Sequence, residues 1–283
     1  LFGHQFAAGA DGRAAATTRP KAFMFNSELS LEMCIRPDNW TWSPTRWTPS
    51  DRGLEIPDGW VWEIRMRREF FDDLPKLVEE LNKVHRNGGP APTIIMTDFP
   101  RCDSHIKALA GMTGPWMLKI GHGFQDDFGD TELACLGGFK ELHGLTIDSG
   151  EQVTDAGLKH LVGLKKLTSL DLGYCPRLSD DALVHIGRIK SLTTLDVGQN
   201  ETFTVKGLKH IIGLKKLIKF VPWWNNKLDD RALEHIVKLS GLEELTLNGD
   251  ITDAAMANLT KLKCLSSLDL SACNKLSGEG FKH

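Results

Sequence analysis

The chain has 283 residues, a formal net charge of −3, 41% hydrophobic and 25% charged residues, the balance of one elongated domain or two small globular ones with an ordinary core. A near-neutral charge without a long Lys/Arg run gives no electrostatic reason to expect nucleic acid or an anionic membrane as the main partner, and no apolar run approaches the roughly 18 residues that span a bilayer. The six cysteines, Cys34, Cys102, Cys135, Cys175, Cys264 and Cys273, are scattered without a CxxC pair, so neither a disulfide framework nor a closed zinc site is expected, and a reducing compartment is the simpler reading.

The opening stretch, "LFGHQFAAGADGRAAATTRPKAF", begins with Leu1 rather than Met, which reads as a processed product or a fragment. It is Ala-rich and sets Arg13, Arg19 and Lys21 against the single acid Asp11, the flavour of an organelle-targeting region, with an ordinary polar tail as the alternative. Residues 39–62 hold Trp40, Trp42, Trp47, Trp60 and Trp62 among prolines and turn residues. Such a segment is not expected to form its own core; residues 1–57 read as an extended Trp/Pro-rich arm lying on the rest of the chain or on another protein. Residues 58–90 read as a capping segment, because Leu74, Leu77, Leu81 and Val84 fall at helical spacing in "FFDDLPKLVEELNKVHRN" and that helix would close the first strand of the region beyond residue 90.

From residue 91 onward the chain repeats itself. Leu142, Leu167, Leu192, Leu217, Leu242 and Leu265 each open an LxxLxL-like unit, at successive spacings of 25, 25, 25, 25 and 23 residues. Eight residues into each unit stand Gly150, Cys175, Asn200, Asn225, Asp250 and Cys273, an expected ladder position. Helix starts come next at Thr154, Ser179, Thr204, Asp229, Thr252 and Ser277, side chains suited to capping exposed N–H groups. Two degenerate units precede these, around "PAPTIIM" and "PWMLKIGHGFQDDFGDTELACLGG".

This phasing resembles the leucine-rich repeat family, in its cysteine-containing branch with units of about 26 residues reading "LxxLxLxxCxxITDxGLxxL". The resemblance implies an α/β solenoid over residues 91–283, with parallel strands on the concave face, helices on the convex face, and an extended N-terminal arm and helical N-cap before it. "GGFKELHGLTI" and "VTDAGLKHL" are also similar to the small mitochondrial leucine-rich repeat proteins of the ATP synthase subunit s and distal membrane-arm assembly family. That likeness implies a non-catalytic subunit or assembly factor of a mitochondrial inner-membrane complex, held by other protein subunits without a membrane span of its own. Ubiquitin-ligase substrate receptors and bacterial binding proteins share the repeat type and stand as alternatives, with a cytoplasmic location as the alternative compartment. No F-box bundle is expected in "SPTRWTPSDRGLEIPDG", which is too rich in Pro and Gly.

Signals for chemistry are weak. His160, His185, His210, His235 and His283 share one repeat slot, with Asn258 in the sixth, which reads as a structural helix position rather than a metal site. "DFG" at 127–129 lacks its kinase companions, and the CxxH of Cys102 and His105 lacks a second pair. Glycosylation strings at Asn39, Asn200 and Asn258 fall partly on structural slots. No catalytic, cofactor-binding or metal residues are assigned, and neither nucleic acid nor a small-molecule substrate is expected.

The expected working surface is the concave sheet. The residue after the second inward position is Thr146, Asp171, Asp196, Val221, Thr246 or Asp269, a partly acidic row. Farther along stand Asp148, Gly173, Gly198, Trp223, Asn248 and Ser271, then Ser149, Tyr174, Gln199, Trp224, Gly249 and Ala272. One repeat interrupts these small and polar rows, so Tyr174, Val221, Trp223 and Trp224 are the candidate partner-binding residues, with cover by the chain's own arm as the alternative. Pro222 in that repeat is expected to break one hydrogen bond of the sheet. The end of the chain inside the last unit reads as an edge that a partner or further chain would cover.

Overall fold

An LxxLxL strand alternates apolar and polar faces, and it can bury its apolar face only by stacking on siblings. The computed structural model describes residues 22–29, 31–37, 46–47, 54–57, 60–96, 104–121, 128–225 and 227–282. Its strands are β1 (Ala22–Phe25), β2 (Glu32–Pro37), β3 (Arg46–Trp47), β4 (Leu54–Pro57), β5 (Trp60–Met66), β6 (Thr93–Met96) and β7 (Trp116–Ile120), then β8 (Leu142–Ile147), β9 (Ser169–Asp171), β10 (Thr194–Asp196), β11 (Lys219–Val221), β12 (Glu244–Asn248) and β13 (Ser267–Ala272). The helices are α1 (Leu74–Arg86), α2 (Ser104–Ala108), α3 (Asp130–Leu136), α4 (Asp155–Leu158), α5 (Asp180–Ile186), α6 (Val205–Leu208), α7 (Asp230–Ile236) and α8 (Asp253–Leu259).

Eleven strands form one sheet in the order β13 back to β5, then β2 and β3; β5 to β13 run parallel. Each helix or turn returns the chain to the next strand, as a parallel crossover requires. Leu145, Leu170, Leu195, Phe220 and Leu245 are register partners across five strands and are buried. Each such side chain contributes roughly 1.5–3 kcal/mol by leaving water. At β13 the column comes to an edge, where Leu268 is 36% exposed.

The helix starts are capped where the sequence indicates: Thr154, Ser179, Thr204, Asp229 and Thr252 accept from the N–H two residues on. A second bond ties the caps Thr154, Ser179, Thr204, Thr252 and Ser277 to the previous repeat. Asp130, Asp155, Asp180, Asp230 and Asp253, at the first helical position, accept the backbone N–H of the next repeat's cap at 2.7–2.9 Å and its hydroxyl at 2.5–2.7 Å. Each carboxylate thus also lies in the first turn of a helix, where the backbone dipole favours negative charge.

Several expectations are corrected. Within the stretch read as an extended arm, the described residues are strands: β2 pairs antiparallel with β5 over six residues, and Met33, Ile35 and Trp62 are buried. The Trp62 ring packs 5.0 Å from that of Phe25, and its Nε1 donates to the Pro90 carbonyl at 3.2 Å. The solenoid edge is therefore closed by β2 and β3. Helix α1 buries Leu74, Leu77, Leu81 and Val84 as its spacing predicts, but it connects β5 to the parallel β6 instead of capping the first strand. Trp40 and Trp42 lie outside the described residues.

The ladder position also shifts in one repeat. Asn200 is fully buried: its Oδ1 accepts the Cys175 N–H at 2.7 Å, and its Nδ2 donates to the carbonyls of Leu172, Val197 and Gly198 at 2.7–3.1 Å. Asn225 keeps only the donor half of the pattern, its Nδ2 donating to the carbonyls of Val197 and Pro222 at 3.1 and 2.9 Å while its Oδ1 has no hydrogen-bond partner. Its N–H donates to Asn248 Oδ1 at 3.2 Å, so the fifth rung is Asn248 and not Asp250, which is exposed and pairs with Lys275. The 23-residue unit loses two residues between strand and cap, drawing the rung back by two. Finally, cysteine spacing indicates no disulfide framework, yet Cys135 is disulfide-bonded, while Cys175, Cys264 and Cys273 are free. Spacing argues against a cysteine framework, but a single bridge depends only on which residues the fold brings together.

Replacing Asn200 by Ala strands the Cys175 N–H and the Leu172 carbonyl in the core. Equilibrium urea denaturation is expected to show a loss of about 2–4 kcal/mol, and an unchanged midpoint would contradict the rung.

Candidate functional site

The concave row is built as the repeat dictates. Thr146, Asp171, Asp196 and Val221 are register partners on consecutive strands, and all are half-buried. The Asp171 and Asp196 carboxylates accept the N–H groups of Gly173 and Gly198 at 3.1 and 2.8 Å, turning the chain out of the strand. Burial first, and then the neighbouring Asp196, pushes the Asp171 carboxyl up to about 6; burial also raises Asp196. Nearby cations are engaged pairwise, Lys119 with Asp148 at 2.9 Å and Lys219 with Glu244 at 2.8 Å.

Beyond this row the chain passes through a left-handed corner. Ser149, Tyr174, Gln199 and Trp224 have φ of 68°, 56°, 57° and 60°, the only positive values for non-glycine residues among those described, and Gly249 continues the column at 98°. Successive corners are joined by Tyr174 N–H to the Gly198 carbonyl and Gln199 N–H to the Trp223 carbonyl. A bulky residue here is strained, since its Cβ crowds the following carbonyl.

Of the sequence-derived candidates, Tyr174 is 48% and Trp224 50% exposed, whereas Trp223 and Val221 are half-buried. Trp223 and Trp224 meet edge to face with ring centroids 4.8 Å apart. Tyr174 and Trp224 occupy corners two strands apart, about 10 Å at ordinary strand spacing. Ile218, 40% exposed at the start of β11, belongs with them and was missed. Its siblings Thr168 and Thr193 bond back to the preceding strand through their hydroxyls, so an isoleucine in that slot was the available signal. Pro222 is buried, and as expected it lacks the N–H with which its siblings Leu172 and Val197 reach the next strand. Pairing of β11 with β12 accordingly covers only Lys219 and Phe220.

His160, His185, His210 and His235 are half-buried along the helix layer, and among the described residues no three His, Cys, Asp or Glu side chains are grouped to hold a metal. Burial pushes the Cys175 thiol up to about 12 and that of Cys273 to about 11, so neither is a ready thiolate. Asn200 is a buried rung, while Asp127, Cys102, Asn39 and His283 lie outside the described residues.

Because the folded-state pKa of Asp171 lies above its unfolded value of 3.8, the stability it contributes is fully present below that value and is lost as pH rises through about 6. Asp171→Asn, which keeps the acceptor for Gly173, is expected to stabilise the protein by about 1 kcal/mol at neutral pH, a gain that vanishes toward pH ~4 in paired melting curves.

The family described as "Leucine Rich repeat" matches residues 163–187. No curated protein matches the chain. Among solved structures, an internalin (inlF) of Listeria monocytogenes is 23% identical, with 62% of this chain and 47% of that one covered and a TM-score of 0.43. A chain of the yeast Rad7 and Elc1 complex is 15% identical over 77% and 71%, TM-score 0.47, and one of the TLR13–ssRNA13 complex is 18% identical over 78% and 31%, TM-score 0.49. The chain spans about half the length of the internalin it resembles. With strands stacked in register repeat by repeat and short helices returning between them, the protein is an α/β leucine-rich repeat solenoid.

Proposed function

We propose that the chain is a non-catalytic scaffold that docks a protein partner on the concave face of the repeat at residues 217–241, through Trp224, Trp223, Val221 and Ile218, with Tyr174 on the neighbouring flank. The observation that supports this is Trp224 itself, a tryptophan half in water at φ 60°. The position costs about 1–2 kcal/mol in backbone strain, and the same corner is filled by Ser149, Tyr174, Gln199 and Gly249 in sibling repeats. A bulky side chain held where both strain and exposure disfavour it fits a contact residue, and a buried Trp anchor is worth roughly 2–4 kcal/mol to an interface. Three of the seven large hydrophobic residues exposed among those described are Tyr174, Ile218 and Trp224.

The partner complex we favour is a mitochondrial inner-membrane assembly in which this chain is a structural subunit or assembly factor, on the strength of the resemblance at residues 137–161. No helix of the described residues is long and apolar enough to cross a membrane, so attachment would be through protein contacts. The disulfide at Cys135 weighs against the cytoplasmic alternative, where thiols are kept reduced.

Trp224→Gly is expected to leave the melting temperature unchanged or slightly raised while weakening partner retention at least about tenfold, because relief of strain offsets lost packing. Gel filtration of native extract should carry the wild-type protein in an assembly far above its own mass and the Trp223→Ala/Trp224→Ala variant as a free species. Co-migration of that folded variant with the assembly would refute the anchor.

A further inference from the structure

From α3 onward, one junction of the helix layer lacks the bond that joins the others. At five junctions the first-turn Asp of one repeat grips the cap of the next through both its N–H and its hydroxyl. Between α6 and α7 both members have changed: Val205 stands where the carboxylate would be, and Asp229 where the hydroxyl would be. Asp229 turns instead to Arg231, whose Nε lies 3.0 and 3.1 Å from its two oxygens and whose Nη2 lies at 2.7 Å; this holds the Asp229 carboxyl below its ordinary range.

The opening left there is a groove of about 540 Å³, lined by Val205, Lys206, Lys209, Lys227, Arg231 and His235, with Thr204 at its rim. Its single lining carboxylate, Asp180, already accepts from the N–H and hydroxyl of Thr204. Among the described residues, Lys206, Lys209 and Lys227 are in no ion pair. Only this repeat carries lysine in both slots: that of Lys206 holds Ala156, Asp181, Arg231 and Ala254 in the other repeats, and that of Lys209 holds Lys159, Val184, Glu234 and Ala257.

We propose that this groove is a docking site for an acidic segment of a partner protein, whose Asp or Glu carboxylates pair with Lys206, Lys209 and Lys227 beside the junction that lacks its rung. Charge complementarity selects the occupant. Three unpaired ammonium groups line the groove at the junction where siblings hold a carboxylate, the Arg231 guanidinium is already held by Asp229, and the apolar Val205 supplies no internal competitor. The site lies in the helix layer, so it does not depend on the concave-face reading.

The test is fluorescence anisotropy of the intact chain with a labelled poly-glutamate peptide, beside its poly-lysine counterpart, at low and physiological salt. Saturable binding of the acidic peptide alone is expected, weakened at least about tenfold by Lys206→Ser/Lys227→Ser and unaffected by Trp223→Ala/Trp224→Ala. Val205→Asp/Asp229→Thr rebuilds the rung; it should raise the melting temperature and abolish binding. Absence of saturable binding would overturn the proposal, as would equal weakening by Lys215→Ser/Lys216→Ser, which marks general attraction to basic surface. Undiminished binding by the rebuilt rung would do the same, and if that variant does not fold the lysine pair decides alone.

Discussion

Neighbouring strands of a sheet lie about 4.8 Å apart, and in a parallel stack of equal repeats that spacing places like against like. The consequences depend on the side chain. Leucine over leucine excludes water from both, which is why the column from Leu145 to Leu245 is buried throughout. Asparagine tolerates the same arrangement because its amide both donates and accepts, so Asn200 can reach the strands behind it and serve the N–H of Cys175. Aspartate over aspartate is different. Asp171 and Asp196 are partly withdrawn from water and repel at this distance, and burial first and then that repulsion raise the Asp171 carboxyl.

The helix side handles the same charge in the opposite way. There the carboxylate of each repeat points at donors of the next, so the stack alternates acceptor and donor instead of repeating one sign. The acid at the first helical position, the hydroxyl at the cap and the N–H behind it form a unit that only two adjacent repeats can complete. Gly207 and Gly157 belong to that unit, for a Cβ on either would approach the preceding Asp Oδ1 to 2.3 Å. Short side chains, not helix propensity, decide what these positions accept.

Much of this was legible in the sequence because it is periodic: the inward leucines, the caps and the departure at Val221, Trp223 and Trp224 all emerge from lining up units. What escaped was aperiodic or needed two repeats at once. The strands before β6 carry no repeat, and tryptophans and prolines masked the inward Met33 and Ile35. The fifth rung slipped from Asp250 to Asn248 because two residues were deleted in a turn, which a fixed count cannot see. The disulfide at Cys135 depends on a meeting in space that no spacing encodes. Ile218 was visible only by asking what the threonines in its slot do.

The repeat at residues 217–241 departs from its siblings at both faces, and the departures are matched. Val205 alone would leave a Thr or Ser cap without its acceptor; Asp229 alone would set two carboxylates against each other. Changed together, they leave the Asp229 carboxylate with both oxygens held by Arg231. On the concave side Val221 likewise removes an acid that would have faced Asp196, while Pro222 gives up one strand bond without disturbing Phe220 or Asn225. Stability requires that the core and the Asn rung stay in phase, and those are the positions that did not change. The positions that did change are the ones a repeat can alter without losing its neighbours, which is why an exposed tryptophan in one repeat and an open basic groove at its junction with the preceding repeat can occur in an otherwise regular stack.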